Sequence, residues 1–173
     1  MNIKLLESPN DNDWAEVYRR AMVTAGIDRA KVPGENWRRR ILEARHSPIR
    51  YLRFSFFLEG IPSWVATHLC RHVHAQPYVR SQRNDRQSEF DRNAARQDAP
   101  VDMILDMNPE ELMVIANKRL CSQASTETRQ AVQIMCLLAM DACPELEGQL
   151  VPMCEYHGGV CHEFKPCGKA AKK

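Results

Sequence analysis

Glycine is scarce in this chain: 173 residues carry seven, and they are scattered. No glycine-rich phosphate loop can be built from them, so neither a P-loop nor a dinucleotide fingerprint is present. There is no Gly-x-Ser-x-Gly elbow and no His-Glu-x-x-His pair, which removes the usual serine-hydrolase and zinc-protease readings. Spacing alone supports no Cys–His nucleophile. No apolar run approaches the ~20 residues that a membrane span needs, and no apolar h-region stands at the N-terminus. Charge of one sign is also missing. The formal net charge is +2, so the chain has no general polyanion-binding character. These absences predict a cytoplasmic protein with no membrane and no nucleic-acid partner.

Enough is present for one core, with 44% hydrophobic residues. The pattern predicts one domain over residues 1–168 and a short, frayed basic tail at 169–173. Asn2–Ser8 alternates like a strand. Asn12 or Asp13 is placed to cap a helix from Trp14 to about Ala25, which Gly26 stops. A second helix is expected over Asn36–Ala44. Tyr51–Glu59 is aromatic-rich and strand-like, with Gly60 ending it. Pro62 suits the first turn of a helix carrying Trp64, Val65 and Leu69. Gln82–Ala99 has no period and reads as a loop. Val101–Met107 reads as a strand. Asn108 is placed to cap a helix starting at Pro109, with Glu110 and Glu111 in its first turn. That pattern runs to about Ala142 with a break near Ser122–Thr126. The class is α+β, helix-rich, with a small sheet.

One segment stands out. Arg71–Arg83 holds three arginines, two histidines and a serine directly after the apolar run Ile61–Cys70. Packing explains such a cluster poorly. An anionic ligand explains it well, because guanidinium binds phosphate through paired, charge-assisted hydrogen bonds. His68, Arg71 and His72 stand at i, i+3 and i+4 and share a helix face. Ser81 and Arg83, at i and i+2, point the same way on an extended segment. Arg96 stands just ahead of the Val101 strand. Arg119 follows apolar neighbours, and a partly buried arginine needs an anion or several acceptors. An ordinary ion pair with Glu127 and a ligand contact are equally compatible with its position.

The seven cysteines are odd in number, and Cys154, Cys161 and Cys167 crowd the C-terminus with His157 and His162 between them. The spacing is looser than that of common zinc sites. Unligated thiols, a local disulfide, or a structural zinc with Cys121 as fourth thiolate all fit.

These residues resemble the flavin-dependent thymidylate synthase family. Its signature runs Arg-His-Arg, two variable residues, Ser, one variable, Asn-Glu, one variable, Ser, one variable, Arg-Tyr. Arg71, His72, Ser81 and Arg83 fall in register with it. His46-Ser47-Pro48, Ala95-Arg96 with Pro100, and Asn108 through Arg119 to Ala124 and Glu127 are similar to further elements of the family, in the same order. Cys121, Cys154, Cys161 and Cys167 also look like cysteines of some members. The resemblance spans about residues 44–168 and implies a mainly antiparallel sheet.

It further implies methylation of dUMP to dTMP. Methylenetetrahydrofolate would be the carbon donor and reduced FAD the hydride donor, with NADPH as reductant, in a homotetramer with shared sites. By resemblance, His68, Arg71, Ser81, Gln82, Arg83 and Arg96 bind the pyrimidine nucleotide, while Ser47, Arg71, His72 and Asn108 contact FAD. Arg119, the catalytic residue, lies against the pyrimidine. The departures fall on the flavin side: Val73, Gln76, Tyr78-Val79, Asn84, Glu110 and Val114 replace signature residues. Tyr78 and His74 are the candidates to compensate. The alternatives are C5 modification of another pyrimidine nucleotide by a flavin enzyme, by methylation or hydroxymethylation, and a non-catalytic nucleotide-binding homologue.

Overall fold

The polypeptide closes a four-stranded antiparallel sheet, order β1-β2-β4-β3, against a helical layer. The structure is a computed structural model and describes residues 1–83 and 85–172. Its elements are β1 (Asn2–Glu7), α1 (Asp11–Val23), α2 (Glu35–Glu43), β2 (Phe54–Pro62), α3 (Ser63–Cys70), β3 (Gln76–Val79), β4 (Pro100–Met107), α4 (Pro109–Arg119), α5 (Thr126–Ala142) and α6 (Met153–Tyr156). Val160–Cys161 (β5) and Ala171–Lys172 (β6) form a separate parallel pair. The expected α+β class, helix-rich with a small antiparallel sheet, is what the chain adopts. Among the described residues no helix is long and apolar enough to cross a membrane.

The core follows from two periods. On β4, Val101, Met103, Leu105 and Met107 are buried at alternate positions, and on β2 Phe54, Phe56 and Leu58 do the same. Phe54 and Phe56 stack with ring centroids 6.2 Å apart, and deleting one such ring costs ~3–5 kcal/mol. Helix α5 lays Ala131, Val132, Met135, Cys136 and Ala139 on β1 and β2. The other sheet face carries the partners that the same alternation leaves over. Ser55, Asp106 and Gln76 stand side by side across β2, β4 and β3.

Several boundaries differ from expectation for local reasons. Asn10, rather than Asn12 or Asp13, caps α1. Its Oδ1 accepts from the Asn12 and Asp13 amides at 2.8 and 3.3 Å, and Asp13 accepts from the Asn10 amide at 2.9 Å. Tyr51 ends a 3-10 turn (Ser47–Tyr51) that Pro48 starts, so β2 begins later, at Phe54. Gly60 does not end β2. At φ +62° it makes a register shift, its amide donates to Asp102 Oδ1 at 2.9 Å, and the strand runs on to Pro62. Pro62 is the cap of α3, not part of its first turn. Ser125 caps α5, which produces the expected break after α4. Of the tail expected to fray, Ala171–Lys172 pairs with β5, and Lys173 lies outside the described residues.

Candidate functional site

Helix α3 ends at Cys70 and α4 ends at Arg119, and the two ends meet. Arg119 Nε donates to His72 Nε2 at 3.0 Å, and its Nη2 donates to the His68 carbonyl at 2.9 Å. His72 is buried, and its Nδ1 lies 3.4 Å from Oε1 of buried Glu111. Periodicity puts Glu111 and Arg119 on one stripe of α4: Glu111, Ile115 and Arg119 are four apart, with Ile115 fully buried. His68 Nδ1 lies 3.2 Å from Oγ1 of fully buried Thr128, which in turn receives the Ser125 hydroxyl at 2.9 Å. Trp64 packs edge-on against the His68 ring.

The electrostatics of this corner are those of a cation cluster. Burial, and then Arg71, hold Arg119 below the ordinary arginine range. Burial, then Arg119, then Arg71 hold His68 below the ordinary imidazole value. Among the described residues no carboxylate lies within ion-pair distance of either Arg71 or Arg119. Of the five guanidinium N–H bonds of Arg119, two are used. The Glu127 ion pair considered for Arg119 is not formed. Two like charges brought together in this way oppose folding unless an anion joins them.

A cavity of about 250 Å³ opens on the polar sheet face, lined by the turn residues Arg50–Arg53, by His74, Gln76 and Tyr78 of the β3 approach, and by Asp106–Asn108. Asn108 Oδ1 caps α4 through the Glu111 amide at 2.9 Å, a bond worth ~1 kcal/mol to a helix. Asp106 is buried, and its Oδ2 meets Arg53. Its Oδ1 is buried and has no hydrogen-bond partner among the described residues. Arg50 lies on the same wall, ion-paired with Glu110.

The expected site residues therefore divide. His68, Arg71, His72 and Arg119 come together. His72, expected against a flavin, is buried with its ring nitrogens facing Arg119 and Glu111. Asn108 lines the cavity, and Ser47 starts the turn that carries Arg50. Ser81 and Gln82 line a separate cavity of about 240 Å³ with Arg80, Phe90 and Pro100. Arg83 and Arg96 are exposed and fork onto Asp85 and Asp98, each two residues on. Asn84 lies outside the described residues.

The fold is similar to that of a nucleotide methylase. Among solved structures it matches the UMP/dUMP methylase PolB from Streptomyces cacaoi, bound with 5-Br dUMP. The TM-score is 0.64 at 15% identity, over 83% of this chain and 91% of that one. No protein-family model matches the chain, and no curated protein matches its sequence.

The four cysteines considered for zinc do not assemble. Among the described residues no group of three His, Cys, Asp or Glu side chains is arranged to hold a metal. Cys161 is buried, whereas Cys167 is exposed. Its thiol is held below the ordinary value by the Ser122 hydroxyl and then by the Lys169 amide. The rings of His157 and His162 lie 4.5 Å apart.

Four residues of this region were not singled out from the sequence: Arg50, Arg53, Asp106 and Glu111. Glu111 left a readable trace, because a carboxylate on the apolar stripe of α4 is out of place. Asp106 left none, because alternation along VDMILDM puts it on the polar sheet face. Arg50 and Arg53 left none.

Proposed function

We propose that this chain modifies C5 of a pyrimidine nucleotide with the help of a bound flavin, most simply by methylating dUMP to dTMP. The observation that carries the reading is the convergence of Arg71 and Arg119 at the joined ends of α3 and α4 without a carboxylate between them. A pyrimidine nucleotide supplies what that corner lacks, an anionic group and an imide that can give up its proton. Arg119, held at two points, would stand beside the ring. A fixed cation there lowers the cost of the N3-deprotonated form and so makes C5 more nucleophilic. Ser81, Gln82, Arg83 and Arg96 would take the phosphate, with Arg83 and Arg96 exchanging their aspartates for it. His68 would face the base.

The cavity residues fit FAD. Tyr78 offers a stacking surface to a flavin ring, and His74 and Gln76 bring polar groups to the same wall. Arg50 and Arg53 supply cations toward a pyrophosphate, with Ser47 and Asn108 alongside. When bound, FAD supplies the hydride, drawn from NADPH, and methylenetetrahydrofolate supplies the carbon. A space of about 250 Å³ is smaller than the ~300–1,000 Å³ of complete ligand sites, so it suits one ring system. The rest of the cofactor would lie against another copy, as the homotetramer reading requires. Exposed Val73, Tyr78 and Val79 around the edge strand β3 offer that copy an apolar surface.

The test is titration of purified protein with FAD and dUMP. A bound-flavin visible spectrum and saturable dUMP binding are expected; colourless protein that binds neither would reject the proposal. The neighbour's acceptance of UMP favours a second reading, in which UMP or another pyrimidine nucleotide is the substrate. Complementation of a thymidine-requiring cell would separate this from dTMP synthesis. Nucleotide binding without flavin binding would mark a non-catalytic protein.

A further inference from the structure

Glu111 is a buried carboxylate with no arginine or lysine against it among the described residues, and neither helix capping nor the chemistry proposed above uses its side chain. We propose that Glu111 is a positioning residue that holds Arg119 in its working orientation, acting through the ring of His72. The inference rests on the nucleotide reading only for what Arg119 faces; the arrangement itself stands on distances.

The argument begins with the 3.0 Å contact between Arg119 Nε and His72 Nε2. The arginine nitrogen always carries its hydrogen, because guanidinium does not deprotonate in proteins. The imidazole nitrogen must therefore offer a lone pair. His72 is neutral in this arrangement, and its one ring proton sits on Nδ1. A neutral imidazole in water prefers the opposite tautomer, with the proton on Nε2. Arg119 favours the proton on Nδ1 from one side of the ring, and Glu111 Oε1, 3.4 Å from that nitrogen, favours it from the other. That distance is long for a strong hydrogen bond but close enough for the carboxylate charge to select the tautomer.

Without Glu111 the proton returns to Nε2, where it would meet the Nε–H of Arg119 head-on. Arg119 would then keep only its bond to the His68 carbonyl and could swing about it. With Glu111 in place the guanidinium is fixed at two points, and its remaining N–H bonds are left for a ligand. The arrangement also eases the burial of both charges. Glu111 and Arg119 offset one another in part across the imidazole, and Arg71 is left to call for an anion. A capping or helix-dipole role would need Glu111 only near the amides of α4 and would be indifferent to the tautomer of His72.

The test is ¹⁵N NMR of histidine- and arginine-labelled full-length protein, wild type, Glu111→Gln and Glu111→Leu, each also titrated with dUMP. In the wild type, His72 should show a protonated Nδ1 and a lone pair at Nε2. Glu111→Leu should move the proton to Nε2, release the hydrogen-bonded Arg119 Nε–H signal, and weaken dUMP binding on the order of 10-fold. Glu111→Gln retains an acceptor and should keep the tautomer and most of the affinity. An imidazolium or an Nε2-protonated His72 in the wild type, which needs no variant to fold, would overturn the proposal. So would an unchanged tautomer in Glu111→Leu. The expected tautomers in a protein that binds no dUMP would support the Glu111 role and reject the nucleotide reading.

Discussion

Arg50 grips Glu110 at two points, Nε to Oε2 at 2.5 Å and Nη2 to Oε1 at 3.4 Å, across 60 positions of sequence. Glu110 stands where the family resemblance places a flavin-contacting arginine. If the flavin reading holds, the cation would come from the turn before β2 instead of from α4, with the carboxylate on α4 as its anchor. Arg50 is 60% exposed, so water screens the pair and it adds little to folding. Arg50→Ala should therefore leave the melting temperature almost unchanged while weakening FAD binding on the order of 10-fold, the scale of one charge-assisted contact. Flavin-fluorescence titration beside a thermal melt reads both. Unaltered FAD affinity would remove Arg50 from the cofactor site.

The nucleotide reading gives Arg83 and Arg119 different burdens. Arg83→Ala should weaken dUMP binding by ~1.5 kcal/mol, the lower end for a charge-assisted bond, because the wild type must first release Asp85. Arg119→Gln should cost the larger share, up to ~3 kcal/mol, because its fork is already fixed and half-buried. Isothermal calorimetry with dUMP checks both. Equal, negligible losses would send the phosphate elsewhere.

Stability should carry an acid-side signature of His68. Burial, Arg119 and Arg71 hold its folded value below the ordinary 6.5. Between those two values the unfolded chain binds the proton more readily, so stability rises with pH there. It is complete above pH 6.5 and is lost as pH falls through that value toward the lowered one. Thermal melts from pH 8 to pH 5 should show this decline, and His68→Gln should flatten it. A slope unaffected by the substitution would assign the decline to other groups.

The thiols should separate by environment. Cys167 is exposed and its thiolate is favoured by Ser122 and Lys169, so it should alkylate first near neutral pH. Burial pushes Cys136 and Cys143 up to about 12, with Glu145 adding to the effect on Cys143, and both should stay unmodified until the protein unfolds. Mass spectrometry of iodoacetamide-treated protein over time gives the order. Early loss of Cys143 would show that the corner formed by Arg38, Glu145 and Cys143 opens in solution.

The fold was legible where a pattern repeats. Alternation on β2 and β4, the apolar stripe of α5 and the Asn108 cap are all local, and each was readable from a window of ten residues or so. The approach of Arg119 to His72 was half legible, because a partly buried arginine announces a need but not a partner. What answers that need lies 47 positions away, and no local period points to it. The zinc expectation failed to assemble for a related reason: spacing counts residues along the chain, whereas ligation needs them converging in space. Arg50 and Arg53 were illegible because they occupy exposed positions in a turn and matter only once Glu110 and Asp106 are folded against them.

One shared hydroxyl links the candidate site to the core. The Thr128 amide donates to Ser125 Oγ, the Ser125 hydroxyl reaches Thr128 Oγ1, and that oxygen faces His68 Nδ1. With His68 neutral and its proton on Nε2, all three bonds run in one direction and end on the ring. A ligand that protonates His68 turns the last bond around, and the Thr128 hydroxyl must aim its hydrogen elsewhere while its oxygen accepts from both His68 and Ser125. The first turn of the longest helix is then a built-in reporter, and amide exchange at Thr128 would register ligand arrival at a residue 60 positions earlier in the chain.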